Sequence, residues 1–213
     1  MEADHDQEPR EGDDRGTLIE PLGPQHLDDV ARLHCASLTG LLSSLGPQAT
    51  RAFYAGALKT PLMVGFVCTE GETLRGHVFG STRPDRLRAD VLRANRLQVL
   101  AGLCLGFARR PSALRLVLPS GHGPDEGTYD PRQPELTYLA VTSESRGAGI
   151  GRQLVAAFGE AMLHAGVPAY ELSVDDENHP AIIFYERLGF RLVGRYSEFG
   201  IVHRRYRLEL GQG

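Results

Sequence analysis

Apolar residues alternate with polar ones in short runs and then shift to a spacing of three to four, again and again, so the chain reads as strands interleaved with helices. A first strand is expected at Thr17–Glu20. Pro24 then opens a helix carrying Leu27, Val30, Ala31, Leu33 and Leu38, and Gly40 to Gly46 breaks it. A second helix runs from Pro47 to Lys59 and stops at Pro61. Strands at Leu62–Thr69 and Leu74–Ser81 flank the turn Glu70, Gly71, Glu72 as a hairpin. In the stretch 83–119, Val91, Leu92, Val99, Leu100, Leu103, Leu105 and Phe107 give one or two helices an apolar side. A loop rich in Gly, Pro and Asp (Gly121 to Pro134) leads to a strand that opens at Glu135 and carries Leu136, Tyr138, Leu139 and Val141. Then follow a helix from Ala148 to Ala165, a strand at Ala169–Val174, a short helix from Pro180 to Leu188, and strands at Phe190–Tyr196 and Ile201–Leu210. Pro180 in the first turn and Gly189 past the end are ordinary helix punctuation. The pattern gives one mixed α/β domain without internal repeats.

Composition sharpens this picture at few points. With 213 residues and 41% apolar content the chain can bury a full core. Residues 1–16 are crowded with Asp and Glu and lack apolar periodicity, which predicts a disordered acidic tail ahead of a domain over 17–213. A net charge of -4 argues against nucleic-acid binding through overall charge. No apolar run has the length of a membrane span, and the start lacks a basic-then-apolar leader, so a soluble cytoplasmic protein is expected. Cys35, Cys68 and Cys104 are widely separated, which suits neither a disulfide framework nor a zinc site. The histidines also lack metal-ligand spacing, and no metal is expected. Lys59 is the sole lysine, so nearly all positive charge is arginine, much of it in the stretch 83–119.

Chemistry concentrates between Glu135 and Phe190. The loop Arg146, Gly147, Ala148, Gly149, Ile150, Gly151 joins a strand to a helix. A pyrophosphate needs several N–H donors converging on one pocket, and side chains would block its approach. Glycines remove them, while the next helix adds the positive end of its dipole. A plain strand-to-helix turn also favours glycine. A dinucleotide fingerprint is excluded by the misplaced third glycine and the missing acid near Gly166, Val167, Pro168. A P-loop is excluded because the only lysine is Lys59. Within the following helix, Ile150, Leu154, Ala157, Phe158 and Ala161 share a face and read as core.

Some thirty residues further on stand Asn178, Pro180, Ala181 and the run Phe184, Tyr185, Glu186, Arg187, Leu188, Gly189, Phe190. Together with the Arg-x-x-Gly-x-Gly loop this resembles the GNAT superfamily of acetyl-CoA-dependent N-acetyltransferases, over roughly 17–210. The resemblance implies a GNAT fold: a mixed, largely antiparallel sheet with a splayed central strand pair flanked by helices, plus a helical insertion (83–134) before the fourth strand. It implies acetyl-CoA as co-substrate, with the pantetheine arm bonding to the backbone edge at Leu139, Ala140 and Val141 like an added strand. The Val141 N–H would face the thioester oxygen, where a preorganised donor stabilises an oxyanion. Arg146 to Gly151 would hold the pyrophosphate and Asn178 the pantetheine. Tyr185 would protonate the departing thiolate, and Glu135, at the place where several GNAT enzymes carry a base, would deprotonate the amine.

Bland readings accompany these roles. Glu135 reads equally as a solvated strand end, and a lone tyrosine on a short helix usually packs with its hydroxyl at the surface. Asp175, Asp176 and Glu177 could receive a cationic amine or simply be solvated. Phe53 and Tyr54 could line an acceptor cleft or pack in the core. The reaction read from all this is acetyl transfer to a primary amine of a small molecule by direct attack. The insertion would crowd the acceptor cleft against larger substrates, although it could equally meet a protein partner or a second copy as a homodimer. Glu171, Leu172, Ser173, Val174, Asp175 departs from the Leu-Glu-Val-Arg-like strand of relatives that acetylate ribosomal proteins, which disfavours a protein N-terminus or lysine. An acetyl-CoA sensor without turnover would need neither Glu135 nor Tyr185.

Overall fold

The computed structural model describes residues 16–94, 130–198 and 200–211. Seven strands form one sheet: β1 (Thr17–Pro21), β2 (Met63–Glu70), β3 (Thr73–Ser81), β4 (Glu135–Val141), β5 (Ala169–Asp175), β6 (Arg191–Glu198) and β7 (Ile201–Glu209), in the order β1-β2-β3-β4-β5-β7-β6. All neighbours are antiparallel except β4 and β5, which run parallel and share a single register position, Glu135↔Glu171. The expected splayed central pair is therefore present.

Helices cover both faces: α1 (Leu27–Ser37), α2 (Leu41–Leu45), α3 (Pro47–Ala57), α4 (Pro84–Ala94), α5 (Ile150–His164) and α6 (His179–Arg187). One apolar cluster joins α5 and α6 to the sheet through Leu154, Phe158, Tyr170, Leu172 and Tyr206. A second joins α1, α3 and α4 to the opposite face through Val30, Tyr54, Phe79, Leu87 and Val91. Tyr54 is thus core, which settles the choice left open for it. Gly80 lets β3 lie under α5. A Cβ there would stand 2.1 Å from the Glu135 carbonyl oxygen and 2.6 Å from the Phe158 ring.

The boundaries differ from the pattern reading in instructive ways. Pro24–His26 is a 3-10 turn before α1, because the proline fixes the turn ahead of the regular ladder. The glycine break between Gly40 and Gly46 contains the short helix α2, with both glycines at positive φ closing its ends. α5 starts at Ile150, not Ala148, since Gly149 sits at φ 83 as its left-handed cap. Of the arginine-rich stretch only α4 falls in the described residues. There Leu87 and Val91 face the core, and Arg83 pairs with Asp85. The second expected helix and the loop from Gly121 lie outside the described residues up to 129, as do the acidic tail to residue 15 and Cys104. Cys35 and Cys68 are free thiols.

Candidate active site

Where β4 parts from β5, a cleft of about 690 Å³ opens toward the N-terminus of α5 and the start of α6. Its lining includes Leu139, Ala140 and Val141 from β4, Arg146, Gly147, Gly149, Ile150, Gly151 and Arg152 from the loop and helix, and Asn178, Pro180, Ala181, Phe184 and Tyr185 from α6. Ten of the residues picked from sequence thus meet in one place. Ala148 and Glu135 do not line it.

The loop leaves open space at a helix N-terminus. After β4 a 3-10 turn at Ser143–Ser145 carries the chain to Gly147 and Gly149, both at φ 83. That left-handed region suits glycine. A Cβ at either residue would meet nothing within 4 Å, so the glycines leave open space before the helix. The first N–H groups of α5 lack partners within the helix and Gly149 offers no side-chain cap. They point, with the helix dipole, at that space. Arg146 and Arg152 supply cationic groups beside it. Gly151 is close-packed instead: a Cβ there would touch the Phe184 ring at 3.2 Å. These features fit the phosphates of coenzyme A.

β4 offers its edge. It pairs with β3 from Ser81↔Glu135 to Gly76↔Val141, so its other edge, beyond Glu135, carries no ladder to β5. The N–H and C=O groups of Leu139 to Val141 facing the cleft suit an extended amide-bearing ligand.

α6 begins at its cap, Asn178, whose Oδ1 accepts from the Ala181 N–H at 3.2 Å. Capping thus occupies one face of the side chain that also borders the cleft. Tyr185 is buried, its ring edge-on to Phe184 and Phe190. Burial pushes its phenol above the ordinary range, so the hydroxyl keeps its proton and is a donor. Tyr206 anchors the helix from β7, donating to Glu186 at 2.8 Å.

Glu135 sits elsewhere, at the closed end of the strand pair. It is 6% exposed, and its Oε1 accepts from Arg205 Nη1 at 3.0 Å, while Oε2 has no hydrogen-bond partner among the described residues. Arg205 is fully buried and also donates through Nε to Glu171 at 2.8 Å. The solvated-end reading of Glu135 is therefore wrong. Asp176 is likewise engaged, by Arg204 and, at 3.7 Å, by Arg195. The Arg204 hydrogen bond holds its carboxyl below the usual range. Asp175 accepts from the Glu177 N–H. The acidic cluster is thus largely occupied within the protein.

A second buried polar group escaped the pattern reading. Tyr54 Oη lies 2.9 Å from His34 Nδ1 and 3.1 Å from His77 Nε2, inside the cluster under α1 and α3. Burial lowers His34 to about 4. Burial and then the charge of His34 lower His77 to about 3, and both imidazoles are neutral. The sole sequence signal was an odd one, histidines at core positions of a helix and a strand. Among the described residues, no group of His, Cys, Asp and Glu could hold a metal ion, and no helix is long and apolar enough to cross a membrane.

Comparison with known proteins agrees with this architecture. A solved GNAT-family protein from Desulfovibrio desulfuricans superposes with a TM-score of 0.60 at 16% identity, over 92% of this chain and 100% of that one. The NatC complex bound to Gag peptide and CoA superposes with 0.56 at 15% identity, over 92% and 99%. A mouse protein, probable N-acetyltransferase family 8 member 5, is 34% identical over 71 residues, 33% of this chain and 31% of that protein. The matched segment thus spans about a third of the mouse relative. Residues 53–190, well over half of the chain, match the acetyltransferase (GNAT) family. With that match over a splayed-sheet fold, the chain belongs to the GNAT family of acetyltransferases.

Proposed function

We propose that this protein transfers an acetyl group from acetyl-CoA to the primary amine of a small molecule by direct attack, with Tyr185 as general acid. The observation that carries this reading is the convergence of the glycine loop, the free β4 edge and Tyr185 on one cleft. Acetyl-CoA supplies the acyl group already activated as a thioester. The first-turn N–H groups of α5, with Arg146, hold its phosphates. The backbone of Leu139 to Val141 orients its amide arm, and the Val141 N–H supports charge developing on the carbonyl oxygen. Tyr185, buried and protonated, holds a proton for the leaving sulfur. Holding amine and thioester together supplies much of the acceleration.

An ammonium must lose a proton before it attacks. We assign that proton to Glu135 Oε2, the oxygen without a hydrogen-bond partner among the described residues. Leu139 lies four positions beyond Glu135, roughly 13 Å along a strand, so transfer runs through water. Preference for a compact acceptor rests on the 83–134 insertion read from the sequence. The occupied carboxylates of Asp175 and Asp176 do not favour a polycation. The protein is read as cytoplasmic.

Thiol release from acetyl-CoA across a panel of amines tests this, with a no-amine blank for the protein's own cysteines. Release with one class of small amine, falling about 10²-fold in Tyr185→Phe, is expected. Release only with peptides bearing a free N-terminus or lysine would move the acceptor to proteins. Acetyl-CoA binding without any release would leave a sensor.

A further inference from the structure

The sheet is two half-sheets. β1 to β4 pair along their lengths, and β5, β7 and β6 do the same, with β5 and β7 in register from Ala169↔Glu209 to Asp175↔His203. Between the halves the backbone supplies one register position, Glu135↔Glu171, and the Glu171 N–H donating to the Pro134 carbonyl at 2.9 Å. One rung does not fix the angle at which two strands diverge, because a ladder resists splaying through successive rungs.

Side chains supply what the ladder lacks. Arg205 on β7 lies in register with Ser173 on β5. Its Nε donates to Glu171 Oε2 at 2.8 Å and its Nη1 to Ser173 Oγ at 2.8 Å, anchoring it to its own half-sheet. The same Nη1 crosses the boundary to Glu135 Oε1 at 3.0 Å. Arg207 stands 3.5 Å from the other oxygen of Glu171, and Tyr196 from β6 donates to Ser173 Oγ at 3.0 Å. Taking such charges out of water is costly, and apolar residues of similar size usually serve stability as well. What apolar residues lack is direction. A guanidinium offers donors in a rigid plane, so three acceptors around it are held at set distances.

We propose that Arg205 is a positioning residue. It clasps the closed end of the β4–β5 wedge and so sets the opening at Leu139 to Val141 that receives acetyl-CoA. The lever is long. Glu135 and Val141 are six residues apart, about 20 Å along a strand, so a turn of roughly 5° at the clasp moves the far end by about 1.7 Å. A misplacement of that size is enough to spoil binding geometry. The inference rests on the proposed reading of the β4 edge as the cofactor's partner.

The test is acetyl-CoA titration by calorimetry on the full chain, which needs no knowledge of the acceptor. Arg205→Met is expected to weaken acetyl-CoA at least thirtyfold. Arg205→Lys, which keeps the charge and loses the planar fork, should weaken it at least fivefold. Val91→Ala, a cavity in the second apolar cluster on the opposite face of the sheet, controls for lost stability and should bind as wild type. Wild-type affinity in Arg205→Met overturns the proposal, as does an equal loss in Val91→Ala. Should Arg205→Met fail to fold, Arg205→Lys decides by the same criterion. No binding by the wild type would instead sink the cofactor reading. The clasp is then judged by hydrogen exchange, where Arg205→Lys must expose the Glu171 amide while leaving β2 protected; unchanged exchange there overturns it.

Discussion

The two ends of the β4–β5 wedge are built from opposite materials. At the open end, from Leu139 to Val141, the chain offers backbone groups, glycines and space, and the cationic side chains there stand at the surface. At the closed end a fully buried guanidinium holds two carboxylates from two strands. A site that must admit a ligand keeps its donors on the main chain, where they cost no side-chain ordering. A site that must not move can carry dry charges because guanidinium and carboxylates pair with one another there. Open main chain and dry charge are thus separated by a few residues of one strand.

The comparison predicts a hierarchy of losses. The largest belongs to the closed end. Glu171→Ala leaves Arg205 with one carboxylate fewer and should cost about 3–5 kcal/mol in urea unfolding. A cost under about 1 kcal/mol would show that the charges there are not dry.

Next comes acid, acting on buried polar groups that are neutral. His34 and His77 have folded values of about 4 and 3, below the 6.5 of an exposed imidazole. The unfolded chain therefore binds protons that the fold refuses. Their contribution is whole above pH 6.5 and is lost as pH falls toward 4. Between pH 7 and 4.5 the loss should be roughly 2–5 kcal/mol. A His34→Gln, His77→Gln variant should show a shallower pH slope, and an unchanged slope would assign the acid sensitivity to other groups.

Smaller effects belong to the open end. Tyr185→Phe, with its expected 10²-fold loss of turnover (about 2.7 kcal/mol), should leave acetyl-CoA affinity within about twofold. A parallel loss of affinity would make the tyrosine a binding group. Asn178→Ala removes the α6 cap and should cost about 1 kcal/mol of stability. A loss of acetyl-CoA affinity beyond that of Tyr185→Phe would show that the amide also meets the ligand.

The same contrast explains what the sequence disclosed. The lining of the open end was legible because its residues are local in sequence. Arg146 to Gly151 is one loop, Asn178 caps the helix that bears Tyr185, and alternation places Leu139 and Val141 on a strand. Strand and helix order was legible for the same reason. The clasp was not, since Arg205 and Glu135 are 70 residues apart and meet only once β7 is laid beside β5. Glu135 could be singled out, but the arginine that engages it could not be named. His34, Tyr54 and His77 are likewise joined across 20 and 23 residues. A faint trace existed: Arg205 and Arg207 share one face of β7, a cationic pair that needs carboxylates opposite it. The helix α2 was hidden by the glycines that delimit it.

A sheet that opens in its middle has four edges. β1 and β6 form the outer pair, and β6 carries exposed Leu192 and Val193 around a register shift that spoils it as a template. The inner pair is the splayed part of β4 and β5, whose main-chain groups are as ready to accept a foreign strand as any outer edge. What guards an outer edge is charge or a bulge; what guards an inner one is its occupant. A chain of this design should therefore resist aggregation best when its wedge is filled, and the acetyl-CoA proposed for it would keep the protein in solution as well as supply an acetyl group.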